Sequence, residues 1–144
     1  MARLCAAGVT LREQIDQAFP NRDRRSDGWI GDAAHSARVS DHNPDDEGVV
    51  YAIDIDENMG KGPWRNGRAA RKLADQLVAY AGSDKPGATR VKYVVYENAL
   101  ASGTYRAKWW KWRPGGWGHT QHIHVSFTEA GKRDGRPFHL PILT

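Results

Sequence analysis

Residues 119–127 read HTQHIHVSF, which places three of the chain's six histidines within six positions. From residue 122 onward the histidines alternate with Ile123, Val125 and Phe127. An apolar, β-branched or aromatic residue at every second position predicts a strand. Side chains two apart share a face of a strand. His122, His124 and Ser126 therefore point one way, and Ile123, Val125 and Phe127 point the other. The apolar face is expected to join a core. The histidine face needs partners from elsewhere in the chain.

A second stretch of the same kind is VVYAIDID, residues 49–56. Its alternation directs Ile53 and Ile55 to the core and Ala52, Asp54 and Asp56 to the opposite side. SDHNPDDEG, residues 40–48, is dense in turn formers and reads as the loop that leads into this strand. VKYVVYE, residues 91–97, is a further strand. ENALASGT then reads as a turn, with TYRAKWWKW, residues 104–112, as a more exposed strand.

Thr10, followed three residues later by Glu13, matches a capping box, and Leu11, Ile15, Ala18 and Phe19 recur at helical spacing up to Pro20. This predicts a helix over 10–19, and Asp32 is a candidate cap for a short helix through AAHSAR. Over 64–80, Ala70, Leu73, Ala74, Leu77, Val78 and Ala81 form one apolar stripe ending near Gly82, which predicts the longest helix. The order of elements implies an α+β fold: a small, mostly antiparallel sheet with helices packed on one face and the polar site in a cleft on the other.

The chain has 144 residues, the size of a single domain, with residues from about 133 to 144 read as a tail or the start of a linker. Hydrophobic residues make up 40% and charged residues 26%, the balance of a globular chain. No apolar run approaches the roughly 20 residues that span a bilayer, and the N-terminus lacks a secretory pattern, so neither membrane insertion nor signal-directed export is expected. Cys5 is the only cysteine, which excludes an internal disulfide and a cysteine-based metal site. The net charge of +4 favours polyanionic partners.

His42 lies in the loop before the first of the two polar-faced strands. Together the segments offer His42, Asp54 or Asp56, and His122 or His124. Zinc in hydrolases is held by about three such ligands with a position left for water. Bound zinc lowers the pKa of that water to about 7 and polarises a carbonyl, the chemistry that attacks amides. The plainer reading of a His-x-His pair is a solvated strand face.

The ordered set SDHNPDDEGVVYAID and HTQHIH, with KWRP between, resembles the zinc peptidases of the LAS group: lysostaphin-like enzymes, D-alanyl-D-alanine carboxypeptidases and hedgehog-like domains. It is most similar to the peptidase domains of actinobacterial, including mycobacterial, phage endolysins, over roughly residues 28–127. The resemblance implies Zn2+ held by His42, Asp54 and His124. It implies a catalytic role for His122 beside the metal, oxyanion stabilisation by His119, and Arg38 as a cation for a substrate carboxylate or oxyanion. Two features depart from the family. Asp45, Asp46 and Glu47 lengthen the interval between His42 and Asp54, and Gln121 stands where several relatives carry an acidic general base.

The function implied is hydrolysis of a peptide bond in peptidoglycan stem peptides or cross-links. The expected setting is the host cytoplasm until lysis and then the cell wall, with the chain acting as a monomer. The alternative is a zinc-stabilised, non-catalytic wall-binding module. Trp109, Trp110, Trp112 and Trp117, interleaved with Lys and Arg, suit either core packing or the wall of a groove. The same segment could stack on single-stranded nucleic acid, but no nucleic-acid module is recognisable and none is expected as a partner.

Overall fold

The computed structural model describes residues 2–24, 27–29, 40–60, 67–103, 110–115 and 121–144. Strand β1 (Arg3–Leu4) leads into helix α1 (Ala6–Ala18). Strands β2 (Val49–Val50) and β3 (Ala52–Asp56) follow, then helix α2 (Arg68–Ala81). Strands β4 (Val91–Tyr96), β5 (Ala99–Ser102), β6 (Arg113–Pro114) and β7 (His122–Phe127) complete the order. The five-stranded sheet runs β3-β7-β4-β5-β6 with every neighbour antiparallel, and β1 and β2 form a separate parallel pair. The fold is α+β, as the element pattern implies.

Alternation decides which side of the sheet is core. Ile53 and Ile55 of β3 lie opposite Val125 and Ile123 of β7, and all four are buried. Leu11 and Ile15 of α1 and Leu73 and Leu77 of α2 join them in one cluster. Each such side chain contributes about 1.5–3 kcal/mol on full burial.

Three elements differ from the sequence reading. Helix α1 starts at Ala6, not Thr10. Its first turn is built from Ala6, Ala7 and Gly8, and the Ala6 N–H donates to the Lys132 carbonyl at 3.1 Å, so tertiary contact replaces the capping box. Thr10 instead donates its hydroxyl to the Gly135 carbonyl at 2.7 Å. The 49–56 run divides at Tyr51, because Val49 and Val50 pair with β1 while Ala52 onward pairs with β7. Strand β5 occupies residues read as a turn. Glu97 and Asn98, with φ of 50° and 60°, make the two-residue hairpin turn that suits the strand twist, and Ala-Leu-Ala-Ser follows as strand despite its weak β preference. The expected strand over 104–112 lies largely outside the described residues, as does the expected helix through AAHSAR.

The C-terminal segment docks on the domain. Phe138 and Leu140 are buried. The Phe138 backbone exchanges hydrogen bonds with the Gln14 amide, its N–H donating to Oε1 at 2.7 Å and its carbonyl accepting from Nε2 at 3.1 Å. The buried Arg90 guanidinium donates to the carbonyls of Gly87, Asp134, Arg136 and Pro137 and to the Tyr80 hydroxyl. Gly87 has φ of 83°, and a Cβ there would lie 2.6 Å from the Arg90 guanidinium, so a side chain is excluded on both counts. Among the described residues no helix is long and apolar enough to cross a membrane.

Candidate metal centre

The face of β3 and β7 turned away from the core carries the polar groups. Asp54 is directly opposite His124, Asp56 opposite His122, and Ala52 opposite Ser126. On the other side of β7, β4 sets Tyr93 beside Ser126 and Val95 beside His124. Strand register therefore brings a carboxylate and an imidazole together without help from any loop.

His42 reaches this pair from the 40–48 loop, which the sheet and the loop's own aspartates hold in shape. Asp45 Oδ1 accepts the N–H groups of Glu47 and Val49, at 2.8 and 2.9 Å, closing the Asp-Asp-Glu turn. The Asp41 carbonyl accepts the Tyr51 N–H, and its carboxylate accepts two hydrogen bonds from Lys92 Nζ, at 2.9 and 3.1 Å. Residues 45–49 thus form a compact, internally bonded turn between His42 and Asp54.

A third segment completes the setting. Gly28 pairs with the backbone of Asp54 at the outer edge of β3. Arg22, itself buried, grips the Asp27 carboxylate, whose Oδ1 also accepts the Asp56 N–H at 2.6 Å. These contacts hold the Trp29 carbonyl against His42, which donates Nδ1–H to it at 3.0 Å. That bond leaves the lone pair on His42 Nε2 directed inward.

His42, Asp54 and His124 converge. His42 Nε2 lies 3.2 Å from His124 Nδ1 and 3.4 Å from Asp54 Oδ2, and His124 Nδ1 lies 3.2 Å from Asp54 Oδ1. Ligands of a tetrahedral zinc ion, at about 2.0–2.1 Å from the metal, lie about 3.3 Å from one another. Two imidazole nitrogens and a carboxylate are also a donor set suited to a borderline-soft divalent cation. The three residues can hold a metal ion. Both histidines are buried, while the Asp54 side chain keeps 19% exposure, so one side of the group remains open to solvent.

The electrostatics follow from this crowding. Burial opposes a charge on Asp54, but hydrogen bonds and charge from His124 and His42 outweigh it and hold the carboxyl well below its usual range. Burial likewise opposes protonation of His42, and here Asp54, the Trp29 carbonyl and Asp41 prevail, so its pKa is raised. For His124 burial wins over Asp54, and its pKa is lowered.

Among the described residues, the converging group takes His124 rather than His122, and Asp54 rather than Asp56. His122 stands at the rim, with Nε2 3.6 Å from Asp54 Oδ1 and a side chain 26% exposed. Asp56 is buried and its Oδ1 accepts the Asn58 N–H at 2.8 Å, shaping the turn after β3. His119 and Arg38 lie outside the described residues. Three contributors escaped the sequence reading: the Trp29 carbonyl, Tyr93, whose ring stacks on His124, and the Asp41–Lys92 pair. Alternation in 91–97 does put Tyr93 and Val95 on one face, but only the β4–β7 register shows that it is the metal-centre face. Comparison of the chain with protein-family models, with curated proteins and with solved structures found no match.

Proposed function

We propose that this chain is a zinc-dependent peptidase that hydrolyses a peptide bond in the stem peptides or cross-links of bacterial peptidoglycan, as the lytic domain of a phage endolysin. The observation that carries the reading is the convergence of His42 Nε2, Asp54 and His124 Nδ1 within 3.2–3.4 Å of one another, with one side open. It is supported by the order of the motifs, which resembles that of LAS-group peptidases. Zinc, when bound, supplies a Lewis acid for the amide carbonyl and acidifies water.

The chain's own residues do the rest. His42 and His124 offer their inward nitrogens, and Asp54 adds the negative charge that stabilises the cation. His122, at the rim and 3.6 Å from Asp54, hands a proton to the leaving amine. His119 and Arg38 serve as the oxyanion and carboxylate partners in this scheme. The net charge of +4 favours approach to an acidic wall.

The test is release of soluble fragments from purified peptidoglycan by the zinc-loaded chain. Release is expected to stop with chelator, return with added zinc and be absent in His124→Ala. Mass spectrometry of products from defined muropeptides then identifies the bond. A folded, zinc-loaded chain that liberates no new amine overturns the proposal.

One observation favours a second reading, a zinc-stabilised module that binds the wall without turnover. Gln121 is exposed, and its amide cannot act as a base. Zinc-dependent co-sedimentation with cell walls, with no fragment released, identifies this case.

A further inference from the structure

Strand register carries the face of the candidate metal centre beyond β4. Val95 stands opposite His124, Leu100 opposite Val95, and Arg113 opposite Leu100. Directly opposite residues of neighbouring strands share a face of the sheet. Asp54, His124, Val95, Leu100 and Arg113 therefore form one cross-strand row, with two of the candidate metal ligands at one end and a guanidinium at the other. Exposure rises along it. His124 and Val95 are buried, Leu100 is half-buried and Arg113 is exposed.

The residue before β6 fixes the direction of Arg113. Trp112 lies on the helix side, where its Nε1–H donates to Asp75 Oδ1 of α2 at 2.9 Å. The Arg71 guanidinium of α2 sits 4.7 Å from the Trp112 ring centroid and 5.3 Å from that of Tyr96. Alternation along extended backbone then sends Arg113 to the opposite face, that of His124. The Gly115 N–H donates to the Asn98 carbonyl at 2.9 Å, which continues the β5–β6 pairing and anchors the Arg113 backbone. Among the described residues Arg113 has no carboxylate partner.

The spacing defines a ligand. From β7 through β4 and β5 to β6 is three strand intervals of about 4.8 Å each, so about 14 Å separates the His124 and Arg113 backbones. An extended peptide rises about 3.3 Å per residue and covers that span in about four residues. A guanidinium offers a planar fork of donors that matches a carboxylate. We propose that Arg113 is a specificity-determining residue: it binds a carboxylate that the substrate carries about four residues from the scissile amide, with Leu100 packing against the chain between. The preferred substrate is thereby an acidic peptide. The inference rests on the proposed peptidase function. The competing role for a charge on the last strand of a sheet is to prevent edge-to-edge pairing with another copy.

The test uses the full zinc-loaded chain and two synthetic peptides of one sequence, one with free side-chain carboxylates and one with those carboxylates amidated. Wild type is expected to favour the acidic peptide. In Arg113→Ala that preference, as a ratio of kcat/KM, is expected to fall about 5–10-fold through KM rather than kcat, the scale of one charge-assisted contact near the surface. Arg113→Lys keeps the charge but loses the fork, and is expected to lie between the two. Zinc affinity and far-ultraviolet circular dichroism are expected to match the parent in both variants. A wild type without preference for the acidic peptide overturns the inference, as does an Arg113→Ala variant that keeps it. Retained preference together with new self-association on gel filtration identifies Arg113 as an edge guard instead. Should wild type cleave neither peptide, the peptidase reading fails by itself, and fluorescence anisotropy with the labelled acidic peptide decides on Arg113. Binding weakened about 5–10-fold in Arg113→Ala supports the carboxylate contact, while equal binding, or none by wild type, overturns it.

Discussion

Arg90 and the His42–Asp54–His124 group are both polar clusters set against the core, the first fully buried and the second open on one side, and they are built on opposite principles. Around Arg90 the chain supplies the cation and surrounds it with acceptors. Five hydrogen bonds and the face of Phe138, 4.0 Å from the guanidinium carbon, satisfy it from within. In the candidate metal centre the chain instead aims two imidazole nitrogens and a carboxylate at one another at 3.2–3.4 Å. The first cluster is complete as folded. The second suits a cation drawn from solution. A buried charge that is fully bonded holds structure together, whereas converging metal-ligating groups open on one side are equipped for binding.

The comparison can be broken most decisively at Arg90. Arg90→Met strands the carbonyls of Gly87, Asp134, Arg136 and Pro137 and is expected to cost about 3–5 kcal/mol in urea unfolding. The loss is expected to be the same with or without zinc, and the segment after residue 132 should become accessible to protease. A stability loss that zinc reverses would show that the two clusters are not separate in kind.

The next effect is that of the metal. At zinc concentrations about 100-fold above Kd, wild type is expected to gain about 2.7 kcal/mol of stability. His124→Ala and Asp54→Asn are each expected to gain nothing from zinc, with thermal unfolding as the measurement. A zinc increment that survives both substitutions would remove the triad from the metal site.

The smallest effect is on pH. The folded-state pKa of His42 is raised above its ordinary value of 6.5. A protonated His42 therefore stabilises the metal-free chain fully below 6.5, and that contribution is lost as pH rises through the raised value. Zinc needs the neutral ring, so the zinc increment is expected to grow with pH across the same window, by at most about 1.4 kcal/mol per unit for one competing proton. His124, pushed down by burial, does not compete there. An increment flat from pH 6 to 8 would mean that His42 is not a ligand.

Much of the architecture was legible from local pattern. The α2 stripe Ala70, Leu73, Ala74, Leu77, Val78 and Ala81 is buried throughout, and the apolar sides of 49–56 and 122–127 meet in the core. Misreadings arose where tertiary contact overrode local preference. Lys132 supplies an acceptor at the start of α1, and β4 recruits Ala99–Ser102 as a partner despite weak strand propensity. The site was legible as a set of candidates. Motif order pointed to His42, Asp54 and His124, but nothing local to the strands separates Asp54 from Asp56 or His124 from His122, since each pair shares a face.

The sequence by itself determined which side chains travel together, because two-residue alternation is a property of extended backbone that needs no partner. The tertiary structure alone decided which of them meet. Strand register set Asp54 against His124. The closure of the 40–48 loop delivered His42 across 82 residues of chain. The β4–β7 pairing put Tyr93 against the imidazole. Such choices depend on burial and hydrogen bonding between segments distant in the chain, and those energies exist only once the segments have packed.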